Sequence, residues 1–125
     1  MVLLDTHILL WTLFDEKQLT PKVVEIMENS DCCISIASMW ELAIKMSHGK
    51  LRLPKTLREI ADECALMGIE IVGISMEDCI CLRSLPWIHK DPFDRIILSH
   101  AIAEHMPLIS HDSFIQSYEG VQVIW

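Results

Sequence analysis

The chain has 125 residues, which allows one domain at the usual ~100–200 residues each and leaves little room for a second. It is 51% hydrophobic and 22% charged with 4 Gly and 5 Pro, which excludes a disordered, collagenous or linker-dominated protein. Eighteen acidic against 10 basic side chains give a formal net charge of −8, so broad attraction to nucleic acid or to an anionic membrane is not expected.

Read from the N-terminus, Val2–Leu4 is a short apolar run that suits a buried strand, and Asp5 follows it directly. The apolar stretch Ile8 to Phe14 has no basic segment before it and falls far short of the ~20 residues a membrane helix needs. A soluble, cytoplasmic protein without a membrane segment is therefore expected. Pro21–Glu28 has the apolar spacing of a helix, at Val23, Val24 and Met27. Cys32–Ile36 reads as a second strand, after which Ser38-Met39-Trp40-Glu41 reads as a capping box that would open a helix with Glu41 in its first turn. Gly49 and Pro54 mark a turn between two helices, the second of them Leu57–Met67, and Gly68 ends that helix before a third strand at Ile69–Ile74. Asp91 and Asp94 open a helix that runs to about His105, with Pro92 at its first position. Pro107–Ile109 and Val121–Ile124 complete five strands, with Asp112 placed to cap a short helix toward Tyr118. Continuously apolar strands alternating with helices predict one domain over residues 1–125, an α/β fold with a mostly parallel sheet covered on both faces. The cysteines, at 32, 33, 64, 79 and 81, have no C-x-x-C spacing and read as free thiols in a reducing compartment.

The strand ends carry the chemistry. In an open parallel sheet all strand C-termini face one rim, where ligand sites form. Asp5, Glu41, the Asp91/Asp94 pair and Asp112 reach that rim from four segments. Helix capping alone would account for Glu41, Asp91, Asp94 or Asp112 taken singly. Asp5 sits among apolar residues, where a carboxylate costs several kcal/mol unless it is paired or binds a metal. Clustered carboxylates raise one another's pKa unless a cation neutralises them, and an oxygen-only set favours Mg²⁺ or Mn²⁺ over zinc. Such an ion suits phosphodiester hydrolysis. No Ser-His-Asp order, glycine-rich phosphate loop, H-E-x-x-H or catalytic cysteine motif competes.

Leu-Leu-Asp-Thr-His at 3–7, Ser-x-x-Ser-x-Trp-Glu-Leu-Ala-Ile-Lys at 35–45, Gly-Lys-Leu at 49–51 and His-Lys-Asp-Pro-Phe-Asp-Arg at 89–95 resemble PIN-domain proteins of the VapC toxin type. The resemblance runs from residue 3 to about 115. It implies a three-layer α/β/α sandwich, a Mg²⁺- or Mn²⁺-dependent endoribonuclease, a homodimer, and a cognate antitoxin protein as inhibitor. Position by position, Asp5, Glu41 and Asp94 match the family's metal-binding acids and Asp112 its more variable fourth; Asp94 is preferred to Asp91 as ligand. Thr6 matches the small polar residue after the first acid, where it would hold water at the ion, and Asp91 stands as an accessory. Ser110-His111-Asp112 departs from the family, which places Thr or Ser closer to the acid. The implied mechanism is metal-activated water attacking an RNA phosphodiester in line. The alternative from another class is a catalytically weak or silent PIN-like module that binds an antitoxin in a regulatory complex.

An RNA surface would have to be local. Lys45, Lys50, Arg52, Lys55 and Arg58 fall within one short stretch, and Lys90 and Arg95 flank the acids, so Lys45, Lys50, Arg52, Lys90 and Arg95 are candidate phosphate contacts. The same residues also fit a solvated helix face with an i,i+4 pair between Glu41 and Lys45. His7, His89 and His111 read as polar neighbours of the acids, and Trp11 and Trp40 as core packing on helices beside the site. A phospho-receiver domain shares the length and fold class, but it wants adjacent acids after the first strand and a late lysine, and nothing basic beyond histidine follows Arg95. A D-x-D-x-T phosphatase fails at Thr6-His7. The acidic rim also predicts that an inhibiting antitoxin segment would be basic.

Overall fold

The computed structural model describes residues 1–125. Its strands are short, and the central ones are buried throughout. They are β1 (Val2–Leu4), β2 (Cys32–Ser35), β3 (Ile69–Val72), β4 (Leu108–Ile109) and β5 (Val123–Ile124). All pair in parallel, in the order β3-β2-β1-β4-β5, with Leu4 opposite Ile34 on one side and Ile109 on the other. Alternation of side chains then splits the core into two layers. Val2, Leu4, Ile34 and Ile109 pack on one face with helices α1 (Thr6–Phe14), α2 (Pro21–Glu28), α3 (Ile36–Ser47) and α4 (Leu57–Leu66). Leu3, Cys33 and Leu108 pack on the other with α5 (Met76–Ser84), α6 (Pro92–Ala103) and α7 (Ser113–Gln116). The result is the expected α/β/α sandwich with five strands and seven α-helices. No helix is long and apolar enough to cross a membrane.

Several boundaries differ from the sequence reading. The second strand stops at Ser35, which accepts a hydrogen bond from the Ala37 amide at 3.0 Å and caps α3. Ser38 is therefore not a cap: it is buried inside the helix, and Glu41 belongs to the second turn. β3 ends at Val72, two residues early, and the last two strands are trimmed to two residues each. Helix α1 was expected around Trp11 but without bounds, because Thr-His-Ile-Leu-Leu-Trp-Thr-Leu-Phe is apolar nearly all round and shows no 3.6-residue period. Helix α5 has a weak apolar stripe too, although its start was legible in Ser75 and Asp78, which form a reciprocal capping box with bonds of 3.2 and 3.0 Å. Gly68 takes a φ of 73° just past α4, the left-handed turn that glycine permits at little cost. All five cysteines are free, three of them buried.

Replacing Ser75 by Ala removes the cap of α5 and is expected to cost about 1 kcal/mol in urea unfolding. Because α5 supplies none of the rim acids, the same variant should bind divalent ions as the parent does.

Candidate metal centre

From β1 the chain steps to β2 and β3 on one side, then returns to β4 and β5 on the other, so the strand order reverses between β1 and β4. Connections leave these two strands in opposite directions and open a crevice at their carboxyl ends. The first residues past those ends are Asp5 and Ser110. Asp5 is 4% exposed; its Oδ1 accepts from the Ile8 amide at 2.9 Å and its Oδ2 accepts from the Ser110 hydroxyl. The one acid that sequence gave no capping role is thus the N-cap of α1. Burial pushes its carboxyl above the ordinary range against the pull of the Ser110 and Ile8 bonds, and the Asp112 charge adds to the push.

Glu41 enters from α3, buried, with Oε1 2.7 Å from the Thr6 hydroxyl and Oε2 2.6 Å from Lys45 Nζ. Thr6, itself hydrogen-bonded to Ser38 at 2.9 Å, links the first turn of α1 to α3. The ion pair with Glu41 holds the Lys45 ammonium above its ordinary pKa. Asp94 stands at the third position of α6 with Oδ2 3.0 Å from His89 Nε2. Burial, and then the Asp91 and Glu41 charges, push its carboxyl up to about 7. Asp91 is a cap, as expected, with Oδ1 accepting from the Phe93 and Asp94 amides at 2.8 and 3.2 Å. Asp112 caps α7 through Oδ1, at 2.8 Å from Phe114 N and 3.2 Å from Ile115 N, and turns Oδ2 toward His89 Nε2 at 3.0 Å. Burial raises the Asp112 carboxyl, but the His89 bond and the two amides outweigh it, and the group sits below its ordinary pKa.

His89 is the site residue that the sequence reading passed over as a polar neighbour. One ligand atom each from His89, Asp94 and Asp112 lie within 4.8 Å of one another. A signal was present, since the histidine stands two residues before the Asp-Pro-Phe-Asp cap. Its segment is fastened from beneath by Arg95, which is 4% exposed and donates to Pro86 O at 2.9 Å, His89 O at 3.1 Å and Leu85 O at 3.3 Å. Arg95 also lies 3.9 Å over the Trp87 ring. It is a buried clamp, which corrects its reading as a phosphate contact. Lys90 is exposed, as are Lys50 and Arg52 in the turn after α3, whereas Lys55 is paired with Glu63. Trp40 is not core: it is 59% exposed and meets Phe93 edge-on at 5.2 Å. Trp11 is half-buried in a ring cluster with His7, His111 and Trp125. A cavity of about 390 Å³ opens at the opposite ends of the strands, where Met27, Cys32 and Ile69 line it together with Glu16, Glu28 and Asp31.

The carboxylates of Asp5, Glu41, Asp94 and Asp112 face one lysine and one imidazole. A donor set so rich in anionic oxygen fits a hard divalent cation; of these acids, Asp94 and Asp112 bring ligand atoms within 4.8 Å of one another, and Asp5 and Glu41 are near enough to act on their charge.

A parallel five-stranded sheet with acids gathered at its reversal point defines an α/β protein with an acidic rim. The model of the PIN domain family matches residues 2–120, and the chain belongs to that family. A search of curated proteins by sequence found no match. Among solved structures, the fold is similar to a chain of DNA-bound VapBC from Salmonella typhimurium, with 16% identity and a TM-score of 0.71 over 99% of this chain and 98% of that one. It is also similar to a chain of VapBC2 from Rickettsia felis bound to a promoter DNA fragment, with 18% identity and a TM-score of 0.70 over 99% and 98%. A chain of a toxin–antitoxin complex from Klebsiella pneumoniae gives 21% identity and a TM-score of 0.64 over 100% and 97%.

The folded Asp94 keeps its proton to about pH 7, whereas unfolded it releases it near 3.8. The folded state therefore binds more protons in between, and the metal-free protein loses stability as pH rises from about 4 to 7. In full the shift corresponds to roughly 4 kcal/mol, and partial exposure reduces the expected effect to about 2 kcal/mol. In EDTA, D94N should be more stable than the parent by that amount at pH 8 in urea unfolding, and equal to it near pH 4.

Proposed function

We propose that this chain, as one PIN domain over residues 1–125, is the toxin of a toxin–antitoxin pair and a cytoplasmic Mg²⁺- or Mn²⁺-dependent endoribonuclease. The observation that carries the proposal is the convergence of Asp5, Glu41, Asp94 and Asp112 on the reversal point of the sheet, with too little positive charge nearby to offset them. The similar solved structures, described as VapBC and toxin–antitoxin complexes, support the toxin role and an antitoxin partner. Bound there, a divalent ion supplies an activated water for in-line attack on a phosphodiester and charge for the leaving oxygen.

The chain's own residues do the rest. Asp5 is fixed by Ile8 and Ser110, so its carboxylate is oriented before any ligand arrives. Thr6 and Lys45 hold both oxygens of Glu41, and the half-exposed Lys45 ammonium is the cation best placed to meet a substrate phosphate. Lys90 is exposed next to the Asp91 cap and can extend that contact, with Lys50 and Arg52 farther along. Holding the ion requires Asp94 to give up its proton, so affinity should rise with pH up to about 7. Leu66, Met67, Ile71, Ile74, Met76 and Ile80 are exposed apolar residues along α4, β3 and α5 beside the β3 edge strand, which supports a homodimer. The second reading, a silent module acting through its antitoxin complex, is favoured by the net charge of −8 and by the burial of Arg95.

Asp5→Asn keeps an oxygen to cap α1 but removes the charge. It should lower RNA cleavage by more than the ~10- to 100-fold typical of groups that only orient a ligand, with an unchanged circular dichroism spectrum. Cleavage by D5N at the parent rate in Mg²⁺ would overturn the assignment. Activity should vanish in EDTA and return with Mn²⁺; a parent inert on structured RNA in both ions would establish the silent module instead.

A further inference from the structure

We propose that His89 is a positioning residue of this centre, donating its Nε2 hydrogen to Asp112 while lying against Asp94, and barred from binding the ion itself, so that the centre offers oxygen alone and selects a hard cation. The inference rests on reading the acidic rim as a divalent-ion site. It starts from the two ring nitrogens. Nδ1 lies 3.1 Å from the backbone N–H of Asp91, a group that can only donate, so Nδ1 carries the lone pair and the hydrogen sits on Nε2. Nε2 in turn lies 3.0 Å from Asp94 Oδ2 and 3.0 Å from Asp112 Oδ2, both acceptors. One donor on one nitrogen and two acceptors on the other match this ring orientation; a flipped ring would present carbons to all three.

Coordination through Nε2 would need the lone pair there. The hydrogen would then move to Nδ1 and face the Asp91 N–H, donor against donor. That amide cannot turn away, because Asp91 caps α6 through its contacts with Phe93 N and Asp94 N. Neither can the histidine easily leave. Its own N–H donates to the Tyr118 hydroxyl at 2.8 Å, its carbonyl accepts from Arg95 at 3.1 Å, and its ring packs on Phe114 at a centroid distance of 5.5 Å. Although His89, Asp94 and Asp112 have the spacing of a metal-binding trio, the histidine is committed elsewhere. Its N–H instead fixes the Asp112 carboxylate from the start of α7, and its ring edge stands 3.0 Å from the Asp94 carboxylate of α6, so one side chain sets the spacing of two acids from different segments.

The test combines nitrogen NMR of the histidine rings in the ¹⁵N-labelled protein with Mn²⁺ and Zn²⁺ affinities by calorimetry for the parent, H89A and H89Q. Expected are a protonated Nε2 and a bare Nδ1 for His89 in EDTA, unchanged on adding Mg²⁺. H89A should weaken both ions by a similar ~10- to 100-fold, and H89Q, which keeps an N–H donor at that reach, should recover most of the loss. A hydrogen on Nδ1, an H89A loss far larger for Zn²⁺ than for Mn²⁺, or no loss for either ion would overturn the proposal. A parent that binds neither ion would overturn the metal centre and the selectivity with it, while leaving the ring-nitrogen pattern as a separate result. Should H89A fail to fold, H89Q and the ring nitrogens decide.

Discussion

Crowding of negative charge at one point of the sheet is the constraint on which the rest of the structure turns. Asp5, Glu41, Asp94 and Asp112 would repel one another apart if they were held only by their backbones. The fold answers by ending helices on them. Asp5, Asp91 and Asp112 cap α1, α6 and α7, and Asp94 sits in the first turn of α6, so three helix N-termini turn their partial positive charge toward the crevice. Capping and site-building are therefore one arrangement. In Asp112, one oxygen satisfies backbone amides while the other faces the crevice. For Asp112, capping leaves one oxygen free for a second role.

What the sequence disclosed and what it hid divide along physical lines. The strands and the amphipathic helices α2, α4 and α6 were legible because burial on known faces imposes a period. The bounds of α1 were hidden because it is apolar on nearly all sides, and α5 was missed because its stripe is faint, even though its Ser75 and Asp78 cap could have been noticed. Ser38 misled because a Ser-x-x-Glu pattern inside a helix looks the same as one that begins it; only the pairing of Ser35 with Val72 in the sheet shows where the strand gives way. The acids themselves were legible from their places at strand exits.

The roles of Arg95, His89 and Trp40 were not legible, because they depend on what the chain brings next to them. Arg95 reads as a surface cation until Leu85, Pro86 and His89 are seen to aim three carbonyls at it, and a guanidinium with its planar set of donors satisfies them where an ammonium could not. That clamp places His89, whose ring lies between Asp94 and Asp112. The geometry of the crevice thus depends on a cation that faces away from it.

The central strand makes its last pairing late. Leu3 lies opposite Leu108, and the Asp5 carboxylate meets a hydroxyl 105 residues farther along the chain. A nascent chain emerging from the ribosome can carry Asp5, Glu41 and Asp94 well before it carries Ser110, Asp112 or Tyr118. Until that last stretch is made, β1 is an edge, Asp5 lacks its serine, and the loop that presents His89 lacks the tyrosine that holds it. The crevice comes into being only once residues 108–118 have been made and have docked, so it is a product of the finished sheet and not of any one segment.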